Sequence, residues 1–247
     1  MRLTRVHVSE PLTPGHCHTI EGDAANHIMR VLRLRPGDPL TVFDGRGGEH
    51  TARVEGFRKD AVIVEVGDRS AAAVESPLSL TLAQGVSRGE RMDWVVQKAT
   101  ELGVTRISPV MTERSVVKLD AKQAERKRLH WQGIAVAACE QSGRDRIPEI
   151  DTPLGLAEFL GGIDPHATRV LLSPAGTLRI ADLPRPRPEG GVVVLIGPEG
   201  GLAESEQNAA VAAGFVGVRL GPRVLRTETA AVAALTLLQY QFGDFVS

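Results

Sequence analysis

Two glycine-bearing segments near the end of the chain carry residue types suited to binding a small molecule. The first, Gly197-Pro198-Glu199-Gly200-Gly201, follows an aliphatic run at residues 192–196 and precedes a predicted helix. Glycines after a buried strand let the backbone approach a ligand closely. The segment has no GxGxxG pattern and no Walker lysine, and Glu199 would repel a pyrophosphate. It therefore predicts a neutral or cationic ligand, with an ordinary tight strand–helix turn as the alternative.

The second segment, Leu220-Gly221-Pro222-Arg223-Val224-Leu225-Arg226-Thr227-Glu228-Thr229-Ala230, follows the next predicted strand. Thr227 or Thr229 is predicted to cap the following helix, and Glu228 suits the positive end of that helix. Two arginines are more than capping requires, and they suit an RNA phosphate or a developing anion. S-adenosylmethionine fits the pair of segments, because it carries a sulfonium, an ammonium and an adenine.

A basic cluster lies near the N-terminus. Arg30, Arg33 and Arg35 have no acidic residue between Asp23 and Asp38, and His27 precedes them. Phosphate contact is the functional interpretation, and a solvated helix end is the alternative.

Composition limits the classes of protein to which the chain can belong. A hydrophobic fraction of 42% in 247 residues predicts a packed core, and a net charge of −1 argues against bulk coating of nucleic acid. Cys17 and Cys139 lack metal-binding or disulfide spacing, so neither a metal site nor a disulfide is expected. The first residues lead into no apolar signal region, and no apolar run reaches bilayer length. A cytoplasmic protein without membrane contact is the expectation.

The elements that must position these segments change in type along the chain. Strands are predicted at residues 40–43, 51–56 and 61–66, after a short helix at 23–32, which favours a compact β-barrel of the first 72 residues. Residues 68–77 read as a linker. Beyond them, strands at 78–83, 107–110, 169–173, 191–196 and 216–220 alternate with helices at 88–102, 121–141, 204–213 and 228–242. This alternation predicts an α/β domain with a mostly parallel sheet.

Several motifs in order resemble the RsmE family, SPOUT-superfamily methyltransferases that modify N3 of a uridine in bacterial 16S ribosomal RNA. Besides the two late segments they are His27–Asp38 in the small domain, Gln84-Gly85-Val86-Ser87-Arg88, Glu90–Asp93, Gln97–Val104, Thr112–Val117 and Ala137–Arg144. The resemblance implies a PUA-like RNA-binding β-barrel over residues 1–72 and a SPOUT domain over residues 77–247 with a deep trefoil knot. It also implies a homodimer that acts on 16S ribosomal RNA in the small ribosomal subunit.

The same resemblance implies a set of site residues. S-adenosylmethionine would contact Leu172, Ser173, Ile196, Gly197, Pro198, Glu199, Gly200, Gly201, Leu220, Gly221, Arg223, Val224, Leu225, Arg226, Thr229 and Ala230. RNA would contact His27, Arg30, Arg33 and Arg35.

Methylation of uridine N3 makes a chemical demand on the site. The imide attacks a methyl group well only after its proton leaves, so the site needs a base or a cation that stabilises the uridine anion. Glu140 and Arg144, on either side of Gly143, offer both types, and Arg226 and Glu228 compete with them. Arg144 or Arg226 is predicted to stabilise the anion, and the base is left open.

Three alternatives remain at the level of function. They are a SPOUT methyltransferase for another RNA position, an RNA-binding assembly factor without catalysis, and a dinucleotide-dependent oxidoreductase. The last is disfavoured because the glycine segment lies late in the chain and carries Glu199.

Overall fold

The structure, a computed structural model, describes residues 4–70, 74–115 and 118–246. It divides into two compact units, one of Met1–Glu75 with Cys139–Ile147 and one of Ser76–Ala138 with Pro148–Ser247. Part of the predicted linker, residues 71–73, lies outside the described residues, as do Val116 and Val117 of one family motif. The return of Cys139–Ile147 to the first unit has no counterpart in the domain boundaries predicted from the sequence.

The first unit contains a five-stranded sheet. Its strands are β1 (Arg5–His7), β2 (Cys17–Ile20), β3 (Pro39–Phe43), β4 (Glu49–Arg58) and β5 (Ala61–Ser70). The order is β1-β3-β4-β5-β2, with β1 parallel to β3 and the other neighbours antiparallel. In β4, buried Ala52 and Val54 alternate with exposed Arg53 and Glu55, so only one face of this strand enters the core. The three strands predicted from the sequence correspond to β3, β4 and β5 of this sheet, and its closure into a barrel stays a prediction.

The predicted helix at residues 23–32 consists of two pieces. Helix α1 (Gly22–Asn26) passes directly into a π-helical turn (His27–Leu32). Buried Ile28 anchors the turn in the core of the first unit. Arg33, at φ 52°, ends the turn and donates its backbone N–H to the Ile28 carbonyl. A left-handed arginine terminates the helical path here, ahead of the predicted Pro36-Gly37 stop.

The second unit contains a seven-stranded sheet in which every pairing is parallel. Its strands are β6 (Leu80–Gly85), β7 (Arg106–Met111), β8 (Glu149–Ile150), β9 (Leu154–Gly155), β10 (Thr168–Leu172), β11 (Val192–Ile196) and β12 (Val216–Val218). The order is β12-β10-β11-β6-β7-β8, and β9 pairs with β7. Strand β11 is buried along its whole length, as expected for a central strand covered on both faces.

Helices connect these strands. They are α2 (Glu90–Glu101), α3 (Ala121–Ser142), α4 (Leu156–Gly161), α5 (Glu204–Ala212) and α6 (Thr227–Phe242), with a 3₁₀ turn at Ile180–Asp182. The last residues of α3, from Cys139, belong to the first unit. Helix α6 buries Ala231, Leu235 and Leu238, which share one face at helical spacing. Among the described residues, we find no helix that is both long and apolar enough to cross a bilayer.

Parallel pairing places the carboxyl ends of the strands at one edge of the sheet. The segments that leave β10, β11 and β12 therefore start near one another, although they are far apart in sequence. Ligands of open α/β sheets bind at this edge.

Candidate functional site

A cavity of about 730 Å³ opens at this edge of the second unit. Its volume falls within the roughly 300–1,000 Å³ typical of small-molecule sites. The segments that follow β10, β11 and β12 supply most of its wall, and Arg91 and Arg114 reach it from the segments after β6 and β7.

The residues predicted to contact a cofactor come together here. With the exception of Thr229, all of them line the cavity: Leu172, Ser173, Ile196, Gly197, Pro198, Glu199, Gly200, Gly201, Leu220, Gly221, Arg223, Val224, Leu225, Arg226 and Ala230. Thr229 is exposed in the first turn of α6. The three stretches of sequence that the family resemblance implied as cofactor contacts thus form one surface.

Glycine is required in the segment after β11 because the backbone turns back on itself. A Cβ on Gly197 would lie 2.9 Å from the backbone nitrogen of Leu202, and Gly201 has φ 68°. On the neighbouring strand, a Cβ on Gly85 would come within 2.4 Å of the Pro198 nitrogen. The wall of the cavity is therefore made of closely approaching backbone.

A buried hydroxyl joins the two glycine-bearing segments. Thr227 donates its hydroxyl proton to the Gly197 carbonyl at 2.7 Å and accepts a hydrogen bond from Gln84 Nε2 at 2.9 Å. Gln84 is fully buried at the end of β6. The prediction that Thr227 or Thr229 caps α6 is wrong: Arg226 occupies the cap position, with no side-chain capping bond. Thr227 instead holds the start of α6 against the loop after β11.

The carboxylate of Glu199 is engaged by its neighbours. Arg91 Nη1 lies 2.6 Å from its Oε1, and the backbone N–H of Arg88 donates to the same oxygen at 3.1 Å. Partial burial alone would raise the pKa of Glu199. Hydrogen bonds from its own backbone, from Arg91 and from Arg88 outweigh that effect, so the pKa lies below its usual value. Glu199 is thus a fixed anion that orders the rim of the cavity.

Cationic side chains outnumber anionic ones around the cavity. The arginines are Arg91, Arg114, Arg219, Arg223 and Arg226, against the carboxylates Glu199 and Glu228. Arg114 donates to the Gly200 carbonyl at 3.2 Å. Arg223 and Arg226 are exposed, and their guanidinium groups form no hydrogen bond or ion pair with any residue in the described ranges. The rim can accept an anionic partner such as a nucleic-acid backbone.

Sequence reasoning gave no role to Arg91, Arg114 or Arg219. Arg91 and Arg114 each follow a predicted parallel strand, so the rule that ligands bind at the carboxyl edge was a usable signal for both. Arg219 immediately precedes Leu220 of the second glycine-bearing segment, and this position was the signal that could have predicted its place in the cavity wall.

Glu140 and Arg144, the other catalytic candidates, lie in the first unit and do not line this cavity. Arg144 binds Glu75 through Nη2 at 2.7 Å and Nε at 3.0 Å, and its side chain is 5% exposed. Glu140 accepts the backbone N–H of His7 at 2.9 Å. Both side chains have structural partners within the first unit, and a catalytic role for either stays a prediction.

The basic cluster of the first unit lies on and beyond the π-helical turn. Arg30, Arg33 and Arg35 are exposed, and His27 is half-buried. The backbone N–H of Arg35 donates to Asp38, which fixes the loop that follows the turn. Within the described ranges, no group of three or more His, Cys, Asp or Glu side chains is arranged to hold a metal ion.

Comparisons with known proteins identify two matching domain families and several relatives of this chain. Residues 74–239 match the model of an RNA methyltransferase domain, and residues 20–67 match that of an RNA methyltransferase PUA domain. The chain is 31% identical to the ribosomal RNA small subunit methyltransferase E of Buchnera aphidicola, over 98% of each chain.

Two solved structures are similar over nearly the whole chain. The ribosomal RNA small subunit methyltransferase E of Neisseria gonorrhoeae, bound to S-adenosylmethionine, has a TM-score of 0.92 and 38% identity, with 99% of this chain and 100% of that chain covered. A methyltransferase from Legionella pneumophila, also with bound S-adenosylmethionine, has a TM-score of 0.94 and 40% identity over the same shares.

Proposed function

The chain belongs to the ribosomal RNA small subunit methyltransferase E family of RNA methyltransferases, and from this premise we propose that it transfers a methyl group from S-adenosylmethionine to N3 of a uridine in 16S ribosomal RNA. The family is the one predicted from the sequence, and its N-terminal domain is PUA-like, as expected. The fold is α/β, with relatives that are methyltransferases.

One observation carries the proposal. The two late glycine-bearing segments, which contain no phosphate-binding signature, meet in one cavity and are tied together by the Thr227 hydroxyl. Relatives that cover this chain almost completely bind S-adenosylmethionine. We therefore assign the cavity to this cofactor, with the residues that line it from the predicted set as its contacts.

Methyl transfer from a sulfonium is an in-line displacement, so positioning is a large part of the catalysis. As N3 attacks, negative charge develops on the uracil oxygens. Arg226 is exposed on the cavity rim, and its guanidinium has no hydrogen-bond or ion-pair partner in the described ranges, so it is available to stabilise that charge. We assign this catalytic role to Arg226 in preference to Arg144, which is bound to Glu75.

The remaining features of the proposal concern RNA, assembly and topology. We propose that His27, Arg30, Arg33 and Arg35 contact RNA phosphates, which would give methylation a dependence on salt concentration. We also propose a closed PUA-like barrel, a deep trefoil knot through the C-terminal part of the second unit, and a homodimer. A small-subunit substrate predicts that the enzyme works in the cytoplasm.

The test is position-resolved mapping of the methyl group. Small subunits from cells that lack this protein, incubated with purified full-length enzyme and labelled S-adenosylmethionine, are expected to gain one methyl group on N3 of one uridine. Nuclease digestion and mass spectrometry identify the base and the position. A methyl group on another base or another ring position would overturn the substrate assignment, and the absence of any incorporation would overturn the enzymatic one.

Calorimetry separates the cofactor from the substrate question. Saturable binding of S-adenosylmethionine without binding of NAD is expected of the purified chain. Binding of NAD alone would favour the oxidoreductase alternative.

A further inference from the structure

The proposed reaction needs a group that removes the N3 proton of uridine, and the side chains lining the cavity limit the choice. In the part of the chain that the structure describes, the titratable groups on this surface are arginines and the two glutamates, Glu199 and Glu228. Guanidinium groups stay protonated in proteins and cannot serve as bases. The base supplied by this surface is therefore one of two carboxylates.

The two carboxylates differ in how they are held. Glu199 accepts hydrogen bonds from Arg91 and from the backbone of Arg88, which lower its pKa and so weaken it as a base. Among the described residues, the Glu228 side chain forms no hydrogen bond or ion pair. Its Oε2 is buried and forms no hydrogen bond within the described residues. A buried carboxylate oxygen without a donor is costly to the folded protein, and such costs are concentrated at functional sites.

The backbone fixes Glu228 at a defined point of the cavity. It is the second residue of α6, directly after Thr227, whose buried hydroxyl is bonded to Gly197 and Gln84. Arg226, which immediately precedes Thr227, lines the same cavity. A base and a cation thus lie two residues apart, next to the segment assigned to the cofactor.

We propose that Glu228 is the general base of the methyl transfer, an inference that rests on the proposed function. The Glu228 carboxylate takes the N3 proton, and the N3 lone pair forms a bond to the methyl carbon. The methyl–sulfur bond breaks, and its electron pair stays on sulfur to give S-adenosylhomocysteine. The proton on Glu228 then passes to solvent, so no further reactant is needed.

The first test compares Glu228→Gln with wild type in single-turnover methylation of small subunits under saturating cofactor. Loss of a general base is expected to lower the rate by about 10²–10⁴-fold. Glu204→Gln is the matched control, because Glu204 also lies in the first turn of a helix but is exposed and does not line the cavity. Calorimetry on the same preparations is expected to give S-adenosylmethionine affinity within about threefold of wild type.

The second test separates proton removal from a structural role. Without a base, the variant must wait for uridine to ionise, so its rate is expected to rise about tenfold per pH unit while the wild-type rate levels off. Subunits reconstituted with 5-fluorouridine in the RNA carry a more acidic imide. On them, the deficit of Glu228→Gln is expected to shrink at least tenfold.

The outcomes have distinct meanings. A rate for Glu228→Gln near that of wild type, or a deficit that neither high pH nor 5-fluorouridine reduces, overturns the assignment of the base. A deficit that is present only at subsaturating cofactor overturns it in favour of a binding role. Failure of the wild-type enzyme to methylate would instead overturn the proposed function, which keeps the two failures apart.

Discussion

Two short segments of this protein each contain a glutamate and an arginine a few residues apart. In one segment both side chains have partners within the fold, and in the other both lie on a cavity. In the first unit, Glu140 accepts a hydrogen bond from the backbone N–H of His7, and Arg144 forms an ion pair with Glu75. In the second unit, Arg226 and Glu228 lie on a cavity and have no ion pair in the described ranges. A charge with a buried partner maintains the fold, whereas a charge without one is available to a ligand.

The segment that contains Glu140 and Arg144 is part of a wider polar network. Glu75 also accepts the backbone N–H groups of Asp145 and Arg146, each at 3.1 Å, and Arg5 donates to the Arg144 carbonyl at 2.9 Å. These bonds tie residues after α3 to the N-terminal sheet. The network explains why Cys139–Ile147 belongs to the first unit.

The largest expected effect is on folding, from Arg144→Ala. This change leaves Glu75, whose side chain is 19% exposed, without its bidentate partner. Breaking a buried pair in this way typically costs about 3–5 kcal/mol. We expect a loss of this size in the free energy of unfolding, measured by urea denaturation of the full chain, with little change in turnover per folded molecule. A loss below about 1 kcal/mol would show that the pair does not maintain the fold.

Arg226→Ala is expected to lower turnover and to leave the stability of the fold nearly unchanged. Removing one donor that stabilises a developing anion costs about 10²–10³-fold in turnover. Because Arg226 is exposed and unpaired among the described residues, the free energy of unfolding should change by no more than about 0.5 kcal/mol. Single-turnover methylation measures the first effect and urea denaturation the second. Arg185→Ala, an exposed arginine outside the cavity, is the control for loss of charge, and equal activity of the two variants would contradict the assignment.

A smaller effect is expected from Thr227→Val, which tests whether the Thr227 hydroxyl holds the two glycine-bearing segments together. Valine keeps the volume but removes the bond to Gly197 and leaves Gln84 without this acceptor. An unsatisfied buried group costs about 1–3 kcal/mol. We expect a loss of that size in unfolding free energy and weaker S-adenosylmethionine binding by calorimetry, both largely restored in Thr227→Ser. Normal cofactor affinity in Thr227→Val would mean that the two loops do not depend on this hydroxyl.

The smallest effect is expected in thiol labelling of Cys139, which immediately precedes Glu140. Burial raises the pKa of its thiol to about 12, so the thiol stays protonated as pH rises from 7 to 9. A thiol-reactive dye at pH 8 is expected to label exposed Cys17 in the folded protein and to reach Cys139 only after unfolding. Rapid labelling of both thiols would show that the Cys139–Ile147 segment is not packed as described.

Local patterns in the sequence predicted much of the second unit. Strands β6, β7, β10, β11 and β12 and helices α2, α3, α5 and α6 fall within a few residues of their predicted places. Strand β11 is a continuous apolar run, and α2 carries its buried residues at helical spacing. Short elements gave no such signal: β1 and β2 span three and four residues, and α4 spans six.

Features that depend on distant partners could not be predicted. The Arg144–Glu75 pair joins residues 69 positions apart, and the Thr227–Gly197 bond joins residues 30 apart. No local pattern distinguishes Arg144 from Arg226, since both are arginines near a glycine and a glutamate. Only the fold decides which of them is paired.

A crystal structure of the full chain with S-adenosylmethionine tests this contrast most directly. We predict density for the cofactor between residues 197–201 and 220–226, with Glu228 facing the remaining space of the cavity and Arg144 still bound to Glu75. Cofactor density outside this cavity, or Arg144 released from Glu75 to contact the ligand, would contradict it.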